Sequence, residues 1–229
     1  MEFDKWEPIY TQIITDFGFD RQQDEAAAQL LSDLSEDKEL VHPDSLLDLI
    51  KNNVVYIFGA GPNLQHEVDI KDFPSEFNGV IMTADGATSA LVEKDIIPDI
   101  IVTDLDGKIE DQIKANEHGA IVVIHAHGDN LEALKRYIPK FEGKILCTTQ
   151  STPSDNLHNY GGFTDGDRAV FLAAHFKANK IYLVAFDFEE PGEYSHQFDY
   201  KTKFKKLTWA NGLIGMIVHP PVIFHPKRR

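Results

Sequence analysis

The sequence predicts an α/β fold in which helices cover both faces of a doubly wound, mainly parallel sheet, with a helical cap at the N-terminus. Short apolar runs alternate with helical segments, and four of the runs end in carboxylates or histidines. The first fifty residues instead repeat apolar side chains at helical spacing. We therefore expect a cap over residues 1–50 and an α/β domain over residues 51–229. The predicted strands end at Phe58, Thr83, Thr103, Ile124, Thr148 and Phe186.

Three helices are expected in the cap. The first two carry apolar residues three and four positions apart, and the third spans residues 44–50 with Pro43 at its entrance. We expect these helices to pack on the main domain, and we interpret their charged faces as solvated surfaces without a chemical role. The periodic apolar residues are Trp6, Ile9, Ile13, Ile14, Phe17, Ala27, Leu30, Leu31 and Leu34.

The first predicted strand, residues 54–58, ends in a glycine-containing loop. Gly59 and Gly61 would let the backbone approach an anion closely, and the following helix would direct its N-terminal amides at that anion. A simple tight turn is the alternative interpretation. The dinucleotide-binding fingerprint requires glycine where Leu64 stands, so the loop does not favour an NAD site.

The second and third strands, residues 80–83 and 100–103, stop abruptly in carboxylates and glycine. Asp85, Asp104 and Asp106 then lie just past the carboxyl ends of two strands, the edge of a parallel sheet where ligands bind. If residues 104–106 are extended, the two outer carboxylates point the same way and share one hard cation, while Leu105 points to the core. Each of these residues alone fits a turn. Their occurrence at two strand ends predicts a metal-phosphate site.

The fourth strand, residues 120–124, precedes two histidines. His125 and His127 could bind a transition metal, but such a site requires three or four well-spaced ligands. We favour imidazoles that donate hydrogen bonds to phosphate, with Asp129 near the metal or its waters. Histidines of the core or of a turn remain the alternative, as does capping of the helix over residues 131–137 by Asp129 or Asn130.

A glycine-rich stretch leads into the next helix, residues 169–176. Arg168 at the start of this helix places a positive charge at the positive end of the helix macrodipole, which is unfavourable. A cation in that position often binds a nearby anion. We therefore expect Arg168 to contact a phosphate and Asp165 or Asp167 to face the acceptor substrate. The alternative is an exposed ion pair of Asp167 with Arg168, which would contribute little.

The C-terminal region contributes the last strong strand, residues 180–186, and a helix over residues 200–218. Lys203 and Lys206 lie three apart on one face of that helix, where they reach a triphosphate or remain solvated. A short strand is expected over residues 222–224. We assign no function to the polar link of residues 191–199 or to the basic chain end.

Composition excludes some classes of function. A formal net charge of −15 disfavours nucleic-acid binding, so a polyphosphate ligand must be neutralised by metal and by backbone N–H groups. The one cysteine, Cys147, lies in an apolar run and is expected to be a core residue. The acidic N-terminus lacks the basic and apolar regions of a signal peptide, and no apolar segment is long enough to span a membrane. These features predict a cytoplasmic protein that binds neither nucleic acid nor membrane.

Several motifs together carry a family resemblance. An Ala-Asp-Gly-Ala strand end followed by Pro-Asp-x-x-x-Thr-Asp-x-Asp-Gly resembles the thiamine pyrophosphokinase superfamily, and more closely its archaeal 6-hydroxymethyl-7,8-dihydropterin diphosphokinases. The resemblance covers roughly residues 50–218, and it implies the catalytic-domain fold of that superfamily. Further matching stretches are Gly59-Ala60-Gly61-Pro62, His125-Ala126-His127-Gly128-Asp129-Asn130, Gly161-Gly162-Phe163-Thr164-Asp165-Gly166-Asp167-Arg168 and Lys203-x-x-Lys206-Leu207.

The resemblance implies Mg²⁺-dependent transfer of diphosphate from ATP to the hydroxymethyl oxygen of a reduced pterin, with release of AMP. The product would feed tetrahydromethanopterin or tetrahydrofolate synthesis. By matching motifs, Asp85, Asp104 and Asp106 would hold the metal. The oligomeric state is not specified by these motifs, and a homodimer is one option. The implied catalytic residues are Asp104, Asp106, His127 and Arg168. The implied nucleotide-binding residues are Gly59, Gly61, Asp85, Gly86, His125, Asp129, Asp165 and Lys203.

Three other functions remain compatible with these residues. The first is the same reaction on thiamine, although thiamine kinases typically add a C-terminal β-sandwich and the region after residue 186 looks mainly helical. The second is a metal-dependent phosphohydrolase that uses His125, His127 and the aspartates. The third is a relative that only binds nucleotide or that transfers a glycosyl group. The residues that could recognise the pterin ring are Asn156, Asp165, Asp187 and Asn211.

Overall fold

The sheet of the protein is seen in a computed structural model that describes residues 1–69, 74–75, 77–190 and 199–225. Within these residues, seven strands pair in parallel in the order β5-β4-β3-β2-β1-β6-β7. The predicted α/β fold with a doubly wound sheet is confirmed. The strands are β1 Val54–Phe58, β2 Val80–Ala84, β3 Ile100–Thr103, β4 Ile121–Ala126, β5 Ile145–Thr149, β6 Lys180–Val184 and β7 Val222–Phe224.

Helices lie before, between and after the strands. Of the α-helices in the described residues, none is long and apolar enough to cross a membrane. Two short 3₁₀ turns follow β4, at Gly128–Asn130 and Ile138–Lys140. The α-helices are α1 Phe3–Phe17, α2 Arg21–Leu34, α3 Pro43–Ile50, α4 Leu64–Val68, α5 Ala87–Val92, α6 Ile109–Glu117, α7 Leu131–Tyr137, α8 Asp165–His175 and α9 Tyr200–Ile214.

Both faces of the sheet are covered, which explains why the strands are continuously apolar. One core packs α3 and α8 against one face, where Val123 and Leu146 point. The other core packs α2, α6 and α7 against the opposite face, where Val122 and Cys147 point. Cys147 is therefore the core residue that its apolar surroundings predicted, and burial raises the pKa of its thiol to about 12.

The N-terminal helices share these cores. Helix α2 packs beside α7 on the sheet, while α1 packs its Trp6 edge-on against Phe171 of α8. The Trp6 indole N–H also donates to the carbonyl of Gln150, directly after β5. Treating residues 1–50 as a separate cap remains a prediction, but these helices form part of the wall around the end of the sheet.

Three elements begin or end at other residues than the sequence predicted. Strand β6 stops at Val184, two residues before the predicted end, because Ala185 takes a left-handed conformation with φ of 54°. Strand β4 instead runs two residues further, to Ala126, so His125 lies inside the strand. Helix α8 begins at Asp165 rather than at residue 169 because Thr164 and Asp167 form a capping box at its start.

After β6 the described chain contains α9 and the short edge strand β7, which was predicted over the same residues. Strand β7 pairs with β6 and so extends the main sheet. Helix α9 ends at Ile214, four residues before its predicted end. Most of the predicted polar link, 191–198, and the basic chain end, 226–229, lie outside the described residues.

Candidate active site

Three carboxylates meet at the carboxyl edge of the sheet. Asp85 follows β2, and Asp104 and Asp106 follow β3, its neighbour in the sheet. One oxygen of each carboxylate lies within 4.8 Å of the others. Because the strands are parallel, their carboxyl ends point the same way, and the predicted meeting of the three side chains is observed.

The backbone that brings Asp104 and Asp106 together differs from the expectation. An extended chain was predicted, but Leu105 takes a left-handed conformation with φ of 66°, and Asp85 has φ of 36°. Such φ values are uncommon for residues other than glycine and indicate backbone strain held by the surrounding contacts. The Leu105 N–H donates to Oγ1 of Thr103 at 2.9 Å, and its side chain is buried as predicted. The two carboxylates are therefore placed by a local turn.

Neighbouring side chains hold the carboxylate of Asp85. Oδ1 of Asp85 accepts hydrogen bonds from Oγ1 of Thr103 at 2.7 Å and from Nε2 of Gln112 at 2.8 Å. A Cβ atom at Gly107 would lie 2.4 Å from Oδ2 of Asp85, so a larger residue there would displace this carboxylate. Sequence reasoning missed Gln112, because nothing in the α6 pattern marks a buried polar residue that faces another strand.

The proximity of like charges changes the ionisation of the cluster. Burial, and then the charge of Asp104, raise the pKa of Asp85. The charge of Asp104, followed by burial and by Asp85, raises the pKa of Asp106 to about 8. Burial alone would raise the pKa of Asp104, but the His127 hydrogen bond, the electrostatic interaction with the same ring and the positive charge of Arg168 hold it below its usual range.

This donor set fits a divalent cation. Carboxylates so close together repel one another unless a proton or a cation lies between them. Oδ1 of Asp104 is buried and has no hydrogen-bond partner among the residues that the structure describes. Oxygen ligands of this kind suit Mg²⁺ and other hard cations.

The two histidines occupy different environments. His125 is buried in β4, where its Nδ1 lies 3.1 Å from Oγ1 of Thr148, and burial followed by the charge of Arg168 lowers its pKa. Nδ1 of His127 accepts the N–H of Asp129, so a neutral His127 ring carries its proton on Nε2, which lies 3.3 Å from Oδ2 of Asp104. Neither histidine belongs to the carboxylate cluster found in the described residues. The geometry therefore does not favour a histidine metal centre.

Asn130 was considered as a cap for the following helix, but α7 has no side-chain cap. The amide of Asn130 instead donates to the carbonyls of Asp104 and His125, at 2.8 and 2.7 Å, and accepts the N–H of His127. One buried side chain thus connects the ends of β3 and β4. This role is invisible in the sequence because the partners lie on two different strands.

Arg168 is buried, with 6% of its surface exposed, so the alternative of an exposed surface pair does not hold. Its guanidinium lies 3.1 Å from Asp165, 3.4 Å from the Gln150 side chain and 4.0 Å from Asp104. Asp167 does not pair with it in this way, because both Asp167 oxygens accept hydrogen bonds at the start of α8. Asp165, the first residue of α8, is the carboxylate that pairs with the arginine.

The glycines of the first loop are explained by packing. The N–H groups of Gly59 and Gly61 donate to the carbonyls of Val184 and Ala185. A Cβ atom at Gly61 would lie 2.2 Å from the Ala185 carbonyl, and one at Gly59 would lie 2.8 Å from the Phe186 ring. These two amides are therefore already paired, and a phosphate contact at the loop remains a prediction.

Two cavities meet at the carboxylate cluster. The larger, of 410 Å³, is lined by predicted site residues from the strand ends, α8 and α9. The smaller, of 190 Å³, lies between the strand ends and the turn that joins α1 to α2. Both are lined by Asp104, Phe163 and Lys206. The predicted site residues in the larger cavity are Gly59, Gly61, Asp85, Gly86, Asp104, Asp106, Asp165 and Lys203.

The other predicted site residues lie elsewhere. His127, Asp129 and Arg168 line the smaller cavity, and His125 lines neither of the two. Sequence reasoning also missed the smaller cavity's second wall, residues 18–24, where no chemistry had been assigned. Asp24 there is buried and accepts hydrogen bonds from the Tyr10 hydroxyl, the Gly128 N–H and the Gln150 amide.

The residues considered for recognition of the pterin ring divide in the same way. Asp165 and Asp187 line the larger cavity. Asn156 hydrogen-bonds to Ser32 instead, and Asn211 is exposed on α9, and neither lines the two cavities. The roles of all these residues stay predictions.

Comparison with solved structures supports the fold. The MAf glycosyltransferase from Magnetospirillum magneticum AMB-1 superposes with a TM-score of 0.50 at 12% sequence identity, covering 77% of this chain and 34% of that protein. At this identity the likeness concerns the fold alone.

Comparison with known sequences is more specific. Three curated archaeal relatives are each named 6-hydroxymethyl-7,8-dihydropterin pyrophosphokinase. The protein from Methanothermobacter thermautotrophicus is 50% identical over 191 residues, which cover 83% of this chain and 80% of the relative. Those from Methanocaldococcus jannaschii and Pyrococcus furiosus are 40% and 41% identical and cover 95% and 93% of this chain, and 96% and 93% of their own lengths. The profile of one family matches residues 28–193. The chain therefore belongs to the 6-hydroxymethylpterin diphosphokinase MptE-like family.

Proposed function

We propose that this protein transfers diphosphate from ATP to the hydroxymethyl group of 6-hydroxymethyl-7,8-dihydropterin in a Mg²⁺-dependent reaction. The observation that carries the proposal is the shared activity name of three relatives that align over most of the chain. The three-carboxylate cluster at the carboxyl edge of the sheet supports it, because polyphosphate transfer requires a metal centre beside the reacting phosphates.

In this reaction the hydroxymethyl oxygen of the pterin forms a bond to the β-phosphorus of ATP. The bond from that phosphorus to the oxygen bridging the α- and β-phosphates breaks, AMP leaves with that oxygen, and the hydroxyl proton is released. Catalysis of this type depends on positioning and on neutralising charge, so no side chain needs to become covalently attached.

Asp85, Asp104 and Asp106 would hold the metal. A bound Mg²⁺ ion neutralises phosphate charge and fixes phosphate oxygens. Thr103 and Gln112 orient the carboxylate of Asp85, while His127 and Asn130 hold Asp104 through its side chain and its carbonyl. Such supporting contacts tune a metal site as its direct ligands do.

Three positively charged side chains would neutralise the part of the phosphate charge that the metal does not neutralise. Lys203 lines the larger cavity and Lys206 lines both cavities, so α9 presents positive charge to the carboxylate cluster. Arg168 lies at the same junction, 4.0 Å from Asp104. A guanidinium that is buried and already oriented is well suited to bind phosphate oxygens. The product would enter tetrahydromethanopterin or tetrahydrofolate synthesis in the cytoplasm, and a homodimer is retained as part of the proposal.

The test is AMP release from ATP and Mg²⁺ by the purified protein, with three parallel reactions. One contains 6-hydroxymethyl-7,8-dihydropterin, one contains thiamine, and one contains no acceptor. We expect AMP and pterin diphosphate only with the pterin. AMP with thiamine alone would overturn the substrate, and phosphate release without an acceptor would favour a hydrolase. Replacing Mg²⁺ by Mn²⁺ or Zn²⁺ in the same assay tests the identity of the metal.

A further inference from the structure

The smaller cavity has walls from distant parts of the chain. One wall is the turn between α1 and α2, including Phe19 and Gln23, and the other is the segment after β4, including Gly128 and Asp129. The Gly128 N–H donates a 2.7 Å hydrogen bond to Asp24, which joins the two walls. The cavity opens on the carboxylate cluster through Asp104, which it shares with the larger cavity.

We propose that this smaller cavity binds the flat ring of the acceptor, a reduced pterin, while ATP occupies the larger cavity. The inference rests on the function proposed above and adds to it where each substrate binds. It also assigns the N-terminal helices a function, as the wall of the acceptor site.

Size favours this arrangement. The larger cavity has 410 Å³ and the smaller 190 Å³. A pterin has fewer than half of the non-hydrogen atoms of ATP, so the larger substrate fits the larger cavity. Small-molecule sites generally enclose most of their ligand, which a nucleoside triphosphate in the smaller cavity would not allow.

Charge favours it as well. The smaller cavity is lined by Asp20, Asp24 and Asp129 together with the cations Arg168 and Lys206, and Asp104 is its one member of the carboxylate cluster. A triphosphate placed wholly in this cavity would face Asp20 and Asp129, which lie outside the cluster that fits a cation, whereas Arg168, 4.0 Å from Asp104, lies where the phosphates of ATP would reach in from the larger cavity. A neutral pterin ring carries no such charge, and its amino and ring N–H groups are donors to carboxylates.

The aromatic lining suits a flat ring. Phe19 and Phe163 both line the smaller cavity, and their ring centroids lie 6.4 Å apart at an angle of 45°. Phe163 also packs against Phe17, with the ring centroids 5.1 Å apart, and Phe17 stacks on Phe19, so the three rings support one another. Stacking of a planar ligand on such a face adds to the burial of its apolar surface.

Asp129 is the carboxylate best placed to recognise the guanidine-like edge of the pterin. Its side chain is exposed at the cavity and has no hydrogen-bond partner among the described residues. Asp24 cannot take that role, because its oxygens accept hydrogen bonds from Tyr10, Gly128 and Gln150. Asp24 is instead a positioning residue that holds the wall in place.

The test compares three variants in steady-state kinetics with the full-length protein. Phe19→Leu removes the aromatic face but keeps an apolar side chain, and Asp129→Asn removes the carboxylate charge. Asp33→Asn, an exposed carboxylate at the far end of α2, is the matched control. We expect the KM for 6-hydroxymethyl-7,8-dihydropterin to rise roughly tenfold in each of the first two variants, with the KM for ATP unchanged. The control should behave as the wild type.

Calorimetric binding of the pterin alone separates this inference from the proposed function. If the wild-type protein makes no pterin diphosphate, the proposed function fails first. If it does, and both variants keep the wild-type pterin KM and affinity, the placement of the pterin is wrong while the function stands. A rise in the ATP KM instead would put the nucleotide in the smaller cavity.

Discussion

Oγ1 of Thr103 donates a 2.7 Å hydrogen bond to Oδ1 of Asp85, which links the ends of two neighbouring strands through one carboxylate. The same Oγ1 atom accepts the N–H of Leu105, the left-handed residue between the other two carboxylates. One buried hydroxyl therefore supports all three aspartates at once, although it does not belong to the cluster itself.

Replacing Thr103 should weaken the metal site without removing a ligand. Thr103→Val keeps the shape but loses both hydrogen bonds, so we expect a 10–100-fold higher Mg²⁺ requirement, in the order-of-magnitude range for such supporting contacts. The free energy of unfolding should fall by about 1–3 kcal/mol. Thr103→Ser retains the hydroxyl and is the control. Equal Mg²⁺ dependence in the two variants would contradict this role.

The carboxylates themselves should be indispensable. Asp104→Asn and Asp106→Asn should each lower kcat by at least about 100-fold while leaving the circular dichroism spectrum unchanged, because the metal loses a charged ligand. Asp95→Asn, an exposed aspartate outside the cluster, is the matched control. Near wild-type activity in either site variant would remove that residue from the metal centre.

His127 is expected to act through Asp104. His127→Leu loses the donor that lies 3.3 Å from Asp104, so we expect kcat to fall by roughly 10–100-fold. His127→Gln keeps an N–H donor and should recover part of the rate. If Gln and Leu are equally impaired, the hydrogen bond to Asp104 is not what matters at this position.

Arg168 should contribute to both stability and phosphate binding, and two variants separate these effects. Arg168→Met leaves Asp165 without its buried partner and should cost about 3–5 kcal/mol of unfolding free energy. The double variant Arg168→Met, Asp165→Asn should recover much of that stability. The KM for ATP should be higher than in the wild type in both variants. It is measured at a temperature where both variants are folded. A normal ATP KM in the stable double variant would assign Arg168 a structural role only.

Gly61 should matter for packing even when no nucleotide is present. Gly61→Ala introduces a Cβ atom 2.2 Å from the Ala185 carbonyl, and such overpacking costs about 1–3 kcal/mol. Gly212→Ala on α9 meets no atom within 4 Å and should instead stabilise the helix by about 1 kcal/mol. Thermal unfolding without ATP measures both. An unchanged Tm for Gly61→Ala, with a raised ATP KM, would return this glycine to a phosphate-binding role.

The sequence predicted much of the fold because its signals are local. Each strand of the parallel sheet is buried on both faces and is therefore a continuous apolar run, which is recognisable without tertiary information. Its ends were predicted less well. Strand β6 stops where Ala185 turns into the left-handed region, and β4 continues through His125 into the core, and neither change has a strong local signal.

The site was predicted in part for a similar reason. Asp85, Asp104 and Asp106 follow strands that any parallel arrangement directs to one edge, so their meeting could be inferred. Hydrogen-bond partners could not be inferred in that way. Gln112 reaches Asp85 from 27 positions away and Asn130 reaches Asp104 from 26 positions away, and such contacts depend on how the helices pack.

The sequence by itself determined the parallel α/β sheet, the carboxylate cluster at its edge and the resemblance to archaeal pterin diphosphokinases, because strand burial and motif spacing are properties of short segments. Only the tertiary structure decided that the N-terminal helices form a wall of the site. The hydrogen bond from Gly128 to Asp24 joins residues 104 positions apart, and packing of α2 beside α7 brings them together. Side chains so distant in the chain meet only when the whole core is assembled, which no local pattern records.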